Sequence, residues 1–178
     1  MSTLELKELS HPAGEVIKIA AGKTLDLKSQ GTTTLPTGSV LQVVSATFGT
    51  DTSTTSTSFV DTPITLSITP TSTSSKILIM VDAPILAASA GTYSARYTIF
   101  RGTASGTNLG HSALGFGNVW DADGNQIASS LSMSYLDSPS TTSSQTYTAC
   151  MRSEGNSSAA GIMGSGAKAT ITLTEIQG

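Results

Sequence analysis

Lys76-Ile-Leu-Ile-Met-Val-Asp-Ala-Pro-Ile85 (KILIMVDAPI) decides the fold. The run is almost continuously apolar and rich in β-branched residues, yet too short for the ~18 apolar residues of a membrane span. A strand of this kind is expected to be covered on both faces, at the centre of a sandwich. Working outward from it, Ile64, Leu66 and Ile68 alternate with Thr65, Ser67 and Thr69. Tyr93, Ala95, Tyr97 and Ile99 alternate again, as do Leu131, Met133 and Tyr135, then Tyr147, Ala149 and Met151, and finally Ala169, Ile171 and Leu173. Val40, Val44, Ala46 and Phe48 share one parity, and Thr52 to Ser58 reads as a polar loop. Period 2 with Gly, Ser, Asn and Pro between the segments gives seven or eight strands. Helix is disfavoured throughout, because Ser and Thr compete with helical backbone bonds; only Leu4 to Leu9 suits a turn or two. The fold class expected is all-β: a jelly-roll-like antiparallel β-sandwich.

The 178 residues include 28 Ser and 28 Thr, whereas Asp, Glu, Lys and Arg make only 12%, about half the usual charged share. A formal net charge of −3 argues against nucleic acid as a partner, since that binding rests on clustered Lys and Arg. One cysteine, Cys150, excludes an intrachain disulfide framework and a cysteine-based zinc cluster; its parity opposes Tyr147, and it reads as a small buried hydrophobe. Met1 to Glu8 lacks the apolar core of a signal peptide, and no membrane insertion is expected.

Eight of the 21 charged residues fall within the first 28, which divides the chain into a segment 1–37 and a β domain 38–178. In the first segment VIKIAAGK, TLDLKSQG and TTTLPTGS form three octads over residues 16–39, with Ile17 and Ile19 aligned to Leu25 and Leu27. Glycine at the seams, Gly22, Gly31 and Gly38, supplies the positive φ of tight corners. Two apolar side chains per rung cannot bury themselves, so the octads suit a short β-shaft wound from several chains. The alternative is one hairpin, 17–19 against 25–27. Met1 to Ala13 would be an attachment arm.

Motifs of catalysis and metal binding are incomplete. Gly102-Thr-Ala-Ser-Gly106 has its serine one place late for a nucleophile elbow. Gly161 to Lys168 has nearly the spacing of a phosphate loop, but it runs into a strand pattern instead of a helix. Asp121-Ala-Asp123-Gly124-Asn125 begins like a calcium loop without the closing acid, and it reads as a turn with a cation site as the alternative. Asp61, Asp82, Asp137 and Glu175 are scattered singly, unlike a glycosidase pair. No enzyme activity, cofactor or metal is expected. The candidate contact surfaces are the loops at Gly102–Gly117, Trp120–Asn125 and Ser153–Gly166, with His111, Phe116, Trp120, Asp121, Asp123, Asn125 and Asn156 as the residues that would touch a receptor.

The stretches IKIAAGKTLDLKSQGTTTLPTGSVLQV (17–43), YLDSPSTTSSQTYT (135–148) and ATITLTEIQG (169–178) resemble virion proteins of tailed bacteriophages, especially those of aquatic bacteria. The resemblance implies an N-terminal anchor and short shaft followed by a β-sandwich knob, a homotrimer, and a place on the phage particle as a tail fibre or fibre-like appendage. The partners implied are further copies of the chain, other virion proteins at the N-terminal segment, and carbohydrate or protein of the host surface. The matching phrases are architectural, so no site residue carries over. A capsid decoration (cement) protein is the second expectation, and a depolymerase of surface polysaccharide the third.

Overall fold

The computed structural model describes residues 21–22, 35–89, 93–121, 126–155, 158–162 and 167–178. The chain divides into Met1–Leu35 and Pro36–Gly178, and all the described strands belong to the second unit. The attachment arm and the octads up to residue 34, apart from residues 21 and 22, lie outside the described residues, as do Asp123, Asn125 and Asn156.

The described residues form eleven strands and no helix: β1 (Val40–Phe48), β2 (Thr52–Thr54), β3 (Val60–Ile68), β4 (Lys76–Ser89), β5 (Tyr93–Arg101), β6 (Thr107–Asn108), β7 (Gly117–Asp121), β8 (Ile127–Asp137), β9 (Gln145–Ser153), β10 (Ser158–Ile162) and β11 (Ala169–Ile176). They build two antiparallel sheets that do not close into a barrel. In the larger sheet β4 has β8 along one side and, along the other, β11 over Lys76–Asp82 and β10 over Ile85–Ser89. β1 lies beyond β11 and β2 beyond β10. Pro84, which has no N–H to give a ladder, falls between the stretches paired by β11 and β10. The smaller sheet sets β5 at its centre, with β9 and then β3 on one side and β6 and β7 on the other.

Period 2 sorts the side chains. Ile77, Ile79, Val81, Ala83, Ile85 and Ala87 of β4 are all buried, against Ile171 and Leu173 of β11, Ala95, Tyr97 and Ile99 of β5, Tyr147, Ala149 and Met151 of β9, and Ile64 and Ile68 of β3. Each such isoleucine or leucine contributes about 1.5–3 kcal/mol by leaving water. The alternations read from the sequence therefore name most of the core, but Tyr135, read as inward with Leu131 and Met133, is 37% exposed.

Four expectations need correction. The central strand is covered on one face only: Leu78, Pro84 and Leu86 are half-buried and Met80 is 39% exposed. The continuous apolar run conceals an outward row that no described residue covers. Second, Thr52–Thr54 is strand β2, paired with Ala160–Ile162. Threonine's β-branched stem suits an edge strand however polar its hydroxyl. Third, the loop expected at Ser153–Gly166 contains β10, a strand of small residues that fits between β4 and β2, with Ala160 and Ile162 buried. Fourth, a register shift between Val40 and Gln42 breaks the parity of β1, so that Val40 is 57% exposed while Gln42 turns toward Glu175. With the short strands β2, β6, β7 and β10 included, seven or eight strands is an undercount.

Polar clips join the sheets. The Tyr97 hydroxyl, from the smaller sheet, points between the carbonyls of Leu86 at 2.9 Å and Gly161 at 2.8 Å in the larger one; burial pushes its phenol up to about 12. Asp137 at the end of β8 is buried and accepts from the Tyr147 hydroxyl at 2.7 Å and from Arg101 Nη2 at 2.9 Å, with Arg101 Nε also 2.9 Å from its second oxygen. Burial, reinforced by that carboxylate, pushes the Tyr147 phenol far above its ordinary value. Glu175 of β11, fully buried, accepts from Gln42 Nε2 at 2.6 Å and from the amide and hydroxyl of Thr71, both at 2.7 Å. Desolvation works to raise its carboxyl, but the surrounding donors, Gln42 and Thr71 among them, outweigh it and hold the group below the usual glutamate range.

Candidate functional site

The outward face of the smaller sheet differs from the rest of the domain because charge is concentrated there. In β5 the odd residues face the core, so Ser94, Arg96, Thr98 and Phe100 point away from it. The register sets Arg96 opposite Asn118 of β7 on one side and opposite Arg152 of β9 on the other, and sets Ser94 opposite Trp120. The Glu154 amide donates to the Ser94 carbonyl at 3.0 Å, placing Glu154 at the far side of Ser94. Six residues thus form two adjacent rows across three strands: Trp120, Ser94 and Glu154 in one, Asn118, Arg96 and Arg152 in the other.

Two arginines directly opposite one another on neighbouring strands repel. Glu154 bridges them, with Oε2 2.7 Å from Arg96 Nη2 and Oε1 3.4 Å from Arg152 Nη2. Arg96 accordingly holds the Glu154 carboxyl below the usual range, against a smaller opposing effect of burial and with help from Arg152. One carboxylate for two guanidinium groups leaves these two rows net positive, while Asp61 of β3, opposite Cys150 of β9 on the same sheet face, balances that charge farther along the face. Arg96 Nε is shut away from solvent without an acceptor among the described residues.

The two arginines differ in their freedom. Arg152 is a clamp: Nε and Nη2 both donate to the Ala113 carbonyl, Nη1 donates to the Thr57 carbonyl at 3.1 Å, and the guanidinium carbon stands 5.5 Å from the Phe59 ring centroid. Phe59 meets Phe100 edge-on at 5.9 Å. Beside this stack lies an open depression of about 400 Å³ lined by Thr57, Phe59, Phe100, Ala104, Ala113 and Arg152. For Arg96, the one protein acceptor among the described residues is Glu154.

The candidate residues read from the sequence separate in space. Trp120, next to last in β7, is 60% exposed on the charged face. Phe116, its neighbour in sequence, turns instead to Tyr135 of β8, with ring centroids 5.8 Å apart. His111 is exposed, but its Nδ1 is occupied by the amides of Ala113 at 3.1 Å and Leu114 at 3.0 Å, so the ring holds the turn that Arg152 grips from the other side. Gly115 closes that turn at φ +66°, where a Cβ would lie 2.2 Å from the Tyr97 carbonyl oxygen. Asp121 is the last residue of β7. The sequence reading missed Arg96, Arg152 and Glu154; their available signal was outward parity, Arg96 beside the inward Tyr97 and Arg152 beside the inward Met151.

Of the acids weighed for glycoside cleavage, Asp137 and Glu175 flank Ile77 in one cross-strand row, but both are buried and neither faces a cleft. Asp137 and Glu175 are held in their separate clips, and Asp61 Oδ1 accepts from the Ala104 amide at 2.6 Å and from the Cys150 thiol at 3.4 Å. Burial, then that carboxylate, pushes the thiol far above its ordinary value, which makes buried Cys150 a poor nucleophile. Among the described residues no group of three or more His, Cys, Asp or Glu could hold a metal ion, and no helix is long and apolar enough to cross a membrane. Compared with known proteins, the chain matches no protein-family model and no curated protein sequence.

Proposed function

We propose that the chain is a structural protein of a tailed-bacteriophage particle: a homotrimeric, fibre-like appendage that attaches through its N-terminal segment and carries the sandwich as a distal knob against the host surface. The observation that carries this reading is the outward face of the larger sheet. There the cross-strand row Val43, Thr174, Leu78, Leu136 adjoins Met80 on one side and Val40 and Ile176 on the other. Val40 and Val43 are each 57% exposed and Leu136 is 45% exposed. Apolar side chains gathered on one sheet face, among threonines and with Lys76 and Asp82 as the charges of that part of β4, favour burial against a sister copy. Such burial also adds to the stability of the sandwich.

The jelly-roll-like reading is supported by the way successive strands cross between the sheets, β3 to β4 to β5 and β8 to β9 to β10. A binding role is favoured over a catalytic one because the buried carboxylates are committed to bonds within the fold. Antibodies raised against the chain test the placement on purified particles. Labelling of the tail at a few dozen copies or fewer is expected. Hundreds of copies over the capsid would replace the appendage by a decoration protein, and unlabelled particles that lack its peptides would overturn the proposal.

A further inference from the structure

We propose that the two rows Trp120–Ser94–Glu154 and Asn118–Arg96–Arg152 bind an anionic saccharide, an inference that rests on reading the sandwich as a host-contacting knob. The face spans two interstrand spacings, ~10 Å, which is about the reach of one or two sugar rings. Trp120 supplies an exposed aromatic plane at its edge, and a pyranose presents the apolar C–H face that such a plane covers. Asn118 is exposed and offers both donors and an acceptor to hydroxyls.

Charge selects the anionic class. The Arg96–Arg152 opposition costs stability, and one glutamate relieves it only in part, so an arriving carboxylate or phosphate completes the neutralisation. Arg152 has most of its donors fixed on Ala113, Thr57 and Glu154. In Arg96, Nη2 is given to Glu154 and Nε is shut from solvent, so Nη1 is the donor left to meet an arriving anion at the solvent edge of the row. Glu154 gives direction as well, since it accepts from sugar hydroxyls while disfavouring an anion placed at its own end of the row.

Trp120 is the only tryptophan of the chain, so tryptophan emission, excited beyond the tyrosine absorption band, reports on this face alone. The full chain is titrated with tetragalacturonic acid, with mannose 6-phosphate, and with the neutral methyl ester of the first and maltotetraose. A saturable emission change is expected with at least one acidic probe, about tenfold tighter than with either neutral sugar and weakening as salt rises; the two acidic arms distinguish carboxylate from phosphate. Arg96→Gln should lower the affinity about tenfold. Asn118→Glu, which sets a carboxylate directly opposite Arg96 and completes the neutralisation from within, should abolish binding while the thermal midpoint holds or rises. Binding by neither acid, equal binding of acid and ester, or an Asn118→Glu protein that binds normally would overturn the site. Particles that carry the chain on their tails while neither acid binds leave the appendage reading intact and remove this one; acid binding by a chain absent from particles does the reverse.

Discussion

Asp137→Ala is expected to lower the unfolding free energy by about 3–5 kcal/mol, because removing one partner of a buried, hydrogen-bonded pair strands the rest. Asp137 is the point at which β8 of the larger sheet meets β5 and β9 of the smaller, through Arg101 and Tyr147. Without the carboxylate, a fully buried phenol and a largely buried guanidinium lose their acceptor together. Replacing Tyr147 by Phe should cost less, about 1–2 kcal/mol, since it removes one bond and leaves the ion pair. Urea unfolding of both variants measures the difference. Equal and small effects would mean that this clip adds little to the apolar packing and to the Tyr97 bonds that also join the sheets.

Acid lability is the second large effect. Glu175 in the folded chain is held below the usual glutamate range, so its proton binds the unfolded chain more tightly than the folded one. Its contribution is therefore complete above the free-glutamate value of about 4.3 and is lost as pH falls through the lower folded value. The urea midpoint should stay level from neutral pH to about 5 and then fall steeply. Glu154, shifted in the same direction by Arg96, adds a smaller share because its carboxylate meets solvent. In Glu175→Gln the neutral-pH stability should drop by about 2 kcal/mol, and the fall below pH 5 should become shallower. An unchanged acid limb in that variant would remove Glu175 as its cause.

The core was legible in the sequence wherever one strand carried its own signal. Ile64/Leu66/Ile68 and Ala169/Ile171/Leu173 each declare a buried face by period alone. What escaped depends on pairing. Thr52–Thr54 and Ser158–Ile162 look like loops until each is seen to complete the other's ladder. Glu175 looks like a stray acid because its partner Gln42 lies 133 residues away. The same limit governs the site. Exposed Trp120 could be singled out as a contact residue, but the opposition of Arg96 and Arg152 exists only in the register of β5 with β9. Phe116 and Trp120, four apart in sequence, diverge because Phe116 precedes the first residue of β7 and turns to Tyr135 of β8.

The outward apolar row at Val40, Val43, Leu78, Met80 and Leu136 underlies the appendage reading, because that reading takes the row to be shared between copies. Native mass spectrometry of the full chain, diluted well below micromolar concentration, tests this most directly. A persistent species of three times 18.1 kDa is predicted. A stable, folded species at the single-chain mass would contradict it.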